Sequence, residues 1–142
     1  MKFKTLFFAI VLGGVFLTAC GTMSSYTQSI DEKKMERIYL SAYADCGNGV
    51  SQKDLEEKIN TSFRVSNIIG RELKIKCFDY KLDYDGRMMS LEVGVKLIDS
   101  SNNEIGSFKA ISKLSGVIVT DTMLNNIAAT RIFNYVKINY IK

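Results

Sequence analysis

Thiols and one run of carboxylates are the side chains in this 142-residue chain whose types and spacing invite chemistry. Cys46 and Cys77 form an even pair, and a bridge between them would close a loop of about thirty residues and stabilise the fold by roughly 3 to 4 kcal/mol. The other reading makes Cys77 a core residue on the Leu73/Ile75 face and Cys46 a loop thiol. Redox catalysis is disfavoured, because the spacing is not C-x-x-C and no imidazole is present to lower a thiol pKa. Asp79, Asp83 and Asp85 share one strand parity, as paired carboxylates or the oxygen ligands of a hard metal would. Lys81 between them favours a solvated face of alternating charge, and no second acidic cluster or calcium-loop glycine completes a cage, so no metal site is expected.

The chain has no His, which rules out Ser-His-Asp and Cys-His catalysis within it and removes the commonest zinc ligand. No G-x-S-x-G, P-loop or G-x-G-x-x-G pattern occurs. The expectation is a non-enzyme with no cofactor. Lys and Arg number 19 against 15 Asp and Glu, and two of the lysines, Lys2 and Lys4, sit at the extreme N-terminus. Without them the balance is close to neutral, which makes neither nucleic acid nor an anionic surface an obvious partner.

Residues 1–19 run from that basic start through an apolar stretch, Leu6 to Leu17, to small residues before Cys20. This is the layout of a secretory signal peptide, and the stretch is shorter than the ~20 residues a membrane-crossing helix needs. Residues 21–33 are rich in Ser, Thr and Gln without periodicity and read as a flexible tether, leaving 34–142 as a single domain.

Leu17-Thr18-Ala19-Cys20 resembles the lipobox of bacterial lipoproteins. The resemblance implies that the Cys20 thiol takes a diacylglyceryl group, that the leader is cut before it, and that the new amino group is acylated, with palmitate-type chains holding the domain on a membrane. Gly21, where Asp would retain such a protein at the inner membrane, implies sorting to the outer membrane with the domain facing the periplasm.

The domain supplies the elements that position its cysteines. Ile38, Leu40, Ala42 and Ala44 alternate with Arg37, Tyr39, Ser41 and Tyr43, which predicts a strand with one dry face. Tyr39 and Tyr43, on the polar parity, are a candidate partner surface. Ser51, with Asp54 three positions on, is placed to cap a helix burying Leu55, Ile59 and Phe63. From Glu72 to Tyr84 the apolar parity switches near Cys77-Phe78, which predicts a bulge. Asp85-Gly86 signals a hairpin turn flanked by Met88 and Met89, and Met89 to Leu97 alternate as the clearest strand. A turn at 100–103, a strand from about Ile105 to Leu114, and a helix capped by Thr120 or Asp121 complete the chain. The expected fold is α+β, with a four-stranded, mostly antiparallel sheet in the order β-α-β-β-β-α and both helices on one face. The β-α-β crossover predicts that its two strands are parallel if they are neighbours.

This order, with the Met89–Asp99 strand, a polar turn, a second strand and a terminal helix, is similar to small periplasmic lipoproteins of unknown function. It is similar as well to the lipopolysaccharide-assembly lipoprotein that plugs an outer-membrane barrel, whose glycine-aromatic and arginine signature after the lipidated Cys is replaced here by Gly-Thr-Met-Ser-Ser. The function expected is that of a membrane-anchored, non-catalytic domain binding a protein partner in cell-envelope assembly or maintenance. The alternatives are a module for a lipid or small ligand and, further off, a carboxylate-based enzyme.

Overall fold

A computed structural model describes residues 23–31, 39–63, 71–116 and 118–142. Strands β1 (Met23–Asp31) and β2 (Ser41–Asp45) precede helix α1 (Val50–Phe63), and β3 (Glu72–Asp85), β4 (Met88–Ile98) and β5 (Glu104–Ser115) lead to helix α2 (Asp121–Asn139). The sheet has five strands in the order β1-β5-β4-β3-β2, antiparallel except for the β2·β3 pair joined through α1. The parallel pair agrees with the expectation.

The sheet corrects the four-strand count. The fifth strand is β1, in the segment read as tether, and it pairs with β5 from Met23↔Leu114 onward. Its Ser, Thr and Gln alternate no apolar residues, because an edge strand can be held by backbone pairing and by a cross-strand contact such as Tyr26↔Ile111.

Period-two burial holds in the centre. Met89, Leu91, Val93, Val95 and Leu97 of β4 all point into one core, together with Leu73 and Ile75 of β3 and Phe108 of β5. Leu55 and Ile59 of α1 and Leu124, Ala128, Ile132 and Val136 of α2 close that core from a single face of the sheet. Each of these larger aliphatic side chains stabilises the fold by roughly 1.5–3 kcal/mol through burial. The opposite sheet face carries no helix among the described residues.

Local signals shifted by one or two positions. Helix α1 starts at Val50, with Lys53 N–H bonded to Gly49 C=O at 2.8 Å, so Ser51 lies inside the first turn and does not cap. Thr120 caps α2, accepting from Met123 N–H at 3.3 Å. The bulge falls between Phe78 and Lys81, where Asp79 adopts φ 48°, a left-handed conformation that Asp tolerates better than most residues. It returns Tyr80, Leu82 and Tyr84 to the helix side, since Leu82 pairs with Leu91 and Tyr84 with Met89. Asp85 pairs with Met88, so the hairpin loop is Gly86-Arg87, one residue later than the Asp85-Gly86 signal, with Gly86 at φ 61°.

Candidate functional site

Cys46 follows β2 and Cys77 lies in the neighbouring β3, so the parallel pairing brings them together. Their Sγ atoms are 2.09 Å apart in a disulfide and their Cα atoms 4.4 Å apart. Both are buried, and Cys46 N–H donates to Glu56 Oε2 at 2.9 Å. The bridge thus ties β2, β3 and the first half of α1 into one unit.

A polar junction that the sequence did not suggest joins the N-terminal turns of both helices to β3. Asn125 of α2 is fully buried; its Nδ2 donates to Asp54 Oδ2 at 2.8 Å and to Ser51 C=O at 3.0 Å, while Tyr80 Oη donates to its Oδ1 at 2.7 Å. Ser51 Oγ donates to the Asp121 carboxylate at the start of α2. Burial pushes the Tyr80 phenol up; hydrogen bonding with Ser51 and Asn125 opposes this and the charges of Asp121 and Asp54 reinforce it, so the net shift is upward. Burial also pushes Asp54 up, but hydrogen bonds from Asn125 and Lys58 and the Lys58 charge outweigh it and hold the carboxyl below its usual range. The junction therefore keeps a neutral phenol beside an ionised carboxylate, each with its partner in place. The available signal was an Asn beside the apolar stripe of α2, at Leu124-Asn125.

Tyr39 and Tyr43 part company. Tyr39 is 4% exposed, and Ile141 bridges to it and Lys142 N–H donates to its C=O at 2.8 Å; burial, with the Asp99 charge, raises its phenol. It is a core residue and leaves the candidate surface. The parity argument misplaced it because β2 begins at Ser41, and the chain bends at Leu40, which is exposed. Tyr43 is 37% exposed, on the helix-free face, opposite Lys74.

That face is a candidate interaction surface. Lys76 and Lys96 stand opposite one another in register, Phe78 stands opposite Gly94, and Lys96 Nζ lies 5.1 Å from the centroid of the Phe78 ring. The acidic partners lie around them: Lys109 to Glu92 at 2.8 Å, Lys96 to Glu104 and Lys74 to Asp45 at 3.8 Å each. The hydrogen bond from Lys109 holds Glu92 below the usual carboxylate range against its slight burial. Aromatic rings set among lysines suit a partner with acidic and apolar groups.

The carboxylate series gives a solvated hairpin flank. Asp79, Asp83 and Asp85 are all exposed; Asp83 and Asp85 stand opposite Ser90 and Met88, while Asp79 falls within the bulge. Among the described residues, no group of three or more His, Cys, Asp or Glu is placed to hold a metal. Met89 packs in the core, whereas Met88 is exposed. Two open grooves of about 420 and 490 Å³ lie along α2, bordered chiefly by polar side chains such as Asp54, Lys58, Asn126, Thr130 and Arg131. Cys20 lies outside the described residues.

No family model matches the chain, and no curated protein matches it. Solved structures do resemble it in fold. A minor lipoprotein from Acinetobacter baumannii superposes with TM-score 0.51 at 14% identity, over 74% of this chain and 94% of its own. A chain assigned as a lipoprotein from Caulobacter crescentus gives TM-score 0.48 at 13% identity, over 67% and 86%. A PelC variant dodecamer from Paraburkholderia phytofirmans gives 0.46 at 10%, over 79% and 95%. At such identities the likeness is one of fold, and the fold is one that a bacterial lipoprotein uses.

Proposed function

We propose that this chain is a lipid-anchored lipoprotein of the cell envelope whose non-catalytic domain binds a protein partner through the helix-free face of its sheet. The observation that carries the reading is the face itself: the rings of Tyr43 and Phe78 lie among Lys74, Lys76 and Lys96 on the side that neither helix covers. The leader ending in Leu17-Thr18-Ala19-Cys20 supports the anchor, and the fold shared with the Acinetobacter minor lipoprotein agrees with it. Outer-membrane sorting rests on Gly21 after the lipidated Cys. A role in envelope assembly or maintenance follows from that location.

The test places a photocrosslinking amino acid at position 43 of the full chain in native membranes and another at position 57 on exposed α1. One protein captured from position 43, absent at 57 and lost on Lys76→Glu with Lys96→Glu, is the expected result. Equal capture from both positions would remove the sheet face from the proposal.

A further inference from the structure

Met23, Leu114, Met89 and Tyr84 stand in one row across β1, β5, β4 and β3. Strand β1 therefore begins at the end of the sheet where the β3–β4 hairpin turns and where β5 leads through Gly116, whose N–H donates to Arg87 C=O at 3.3 Å. Both helices start at this end as well, since Ser51 of α1 reaches Asp121 of α2. The β4–β5 turn around Asn102 marks the other end.

Exposed apolar side chains lie on the segments that meet at this end: Tyr84 and Met88 flank the β3–β4 turn, Ile118 follows Gly116, and Met123 is in the first turn of α2. Tyr84 is 67% exposed and Ile118 79%, and Val50, Leu82, Met88 and Met123 are exposed with them. A single exposed apolar residue is ordinary, whereas several brought to one end of a domain by its topology are a candidate contact. Arg87, Lys81 and Lys113 are offset nearby by Asp83 and Asp85, so charge gives this end no strong preference. A tyrosine with Met and Ile side chains suits the boundary between lipid headgroups and acyl chains.

Sequence fixes how far this end can lie from the anchor. Gly21 and Thr22 alone separate Cys20 from Met23, so the Cα atoms of Cys20 and Met23 are at most about 11 Å apart. On the reading that Cys20 is acylated, on which this inference rests, the bilayer surface comes within that reach of the apolar end.

We propose that Tyr84, Met88, Ile118 and Met123 seat this end of the domain in the lipid surface beside the acylated Cys20, a second membrane contact that sets the domain's orientation. The acyl anchor makes the contact intramolecular, so modest apolar burial suffices to hold it. The strands then stand away from the bilayer, the 11 residues of β4 carrying the Asn102 turn about 35 Å outward. The helix-free face with Tyr43 is left open to a partner alongside.

The acylated chain, purified from membranes and reconstituted in phosphatidylcholine vesicles, tests this with one environment-sensitive fluorophore at Ile118→Cys or, as control, at Asn102→Cys. Intact mass is measured on the same sample. The expected result is blue-shifted emission at position 118, quenched severalfold more by nitroxide lipids than at position 102, insensitive to salt, and abolished by Tyr84→Asp with Met123→Asp in a chain of unchanged circular dichroism. A label at 118 that is as wet as at 102, in a chain bearing acyl mass, overturns the docking and leaves the anchor. A mass without acyl groups overturns the anchor and the docking with it. A blue shift that grows with protein density and resists nitroxide lipids assigns the patch to a protein contact and overturns the lipid one.

Discussion

Asn60 of α1 stands beside Ala44 of β2 as the peptide group of another strand would: its Oδ1 accepts the Ala44 N–H at 2.7 Å and its Nδ2 donates to the Ala44 C=O at 3.3 Å. Glu56 takes the Cys46 N–H one step further on, and Ile141 and Lys142 pair beside Tyr39 at the other end. The outer edge of β2 is thus occupied by side chains and by the chain terminus, which hinders pairing with a second sheet. On the β1 edge Arg131 reaches Ser25, with Nη2 to its C=O at 2.7 Å.

Asn60→Ala leaves both Ala44 backbone groups without their partner. The expected loss is about 1–3 kcal/mol in urea unfolding, accompanied by concentration-dependent association as the edge is freed. Asn60→Asp keeps the acceptor and loses the donor, so it should fall between. A variant as stable and monomeric as the parent would show that the carboxamide does not guard the edge.

The Cys46–Cys77 bridge spans 31 positions, and the chain-entropy model gives about 3–4 kcal/mol for a loop of that size. Reduction should lower the Tm by roughly 10 °C. Intact mass of the chain from native membranes should rise by about 2 Da on reduction, as the reductant supplies two electrons and each sulfur takes up a proton to become a thiol. No change in mass would mean that the thiols are free in the cell.

The Asn125 junction makes stability depend on pH in opposite senses through two groups. Tyr80 is raised when folded, so its contribution is complete below the ordinary tyrosine range and is lost as pH rises through the folded value. Asp54 is lowered when folded, so its contribution is present above the ordinary carboxylate range and is lost as pH falls through the folded value. Asn125→Ala should cost about 2–4 kcal/mol at neutral pH, because the Tyr80 hydroxyl and the Ser51 carbonyl lose buried partners. Tyr80→Phe should flatten the alkaline limb and spare the acid one. Denaturant titrations at acid, neutral and alkaline pH separate these outcomes, and parallel curves for parent and variants would contradict the assignment.

Much of this arrangement was legible wherever burial alone sets the pattern. The run from Met89 to Leu97 faces the core on one side, and Leu55 with Ile59 shows where α1 packs. Legibility failed where a hydrogen bond replaced an apolar contact. Strand β1 has no alternating apolar run to announce it, Asn125 is buried because three groups need its amide, and Asn60 acts on the backbone of a strand sixteen residues earlier. Tyr39 shows a further limit, since alternation predicts facing only along a continuous strand and the chain bends at Leu40. Cys46 and Cys77 were readable as a pair, but their contact depended on β2 and β3 lying side by side in register.

Gly94 is the one interruption in the side chains of β4, and Phe78 accounts for it. A Cβ at position 94 would stand 2.5 Å from Phe78 Cζ, so the ring occupies the space over the glycine on the helix-free face, with Lys96 Nζ 5.1 Å from its centroid. A glycine inside a strand ordinarily weakens it, and here it makes room for an aromatic ring. Gly94→Ala must lift that ring, at an expected cost of about 1–3 kcal/mol. In the Phe78→Ala background the atoms nearest to the added Cβ are gone and the substitution gains β propensity, so the penalty should vanish or change sign. A double-mutant cycle by urea unfolding measures this coupling directly. Additive effects would mean that Phe78 does not rest on Gly94, and the aromatic part of the proposed partner surface would have to be redrawn around Tyr43.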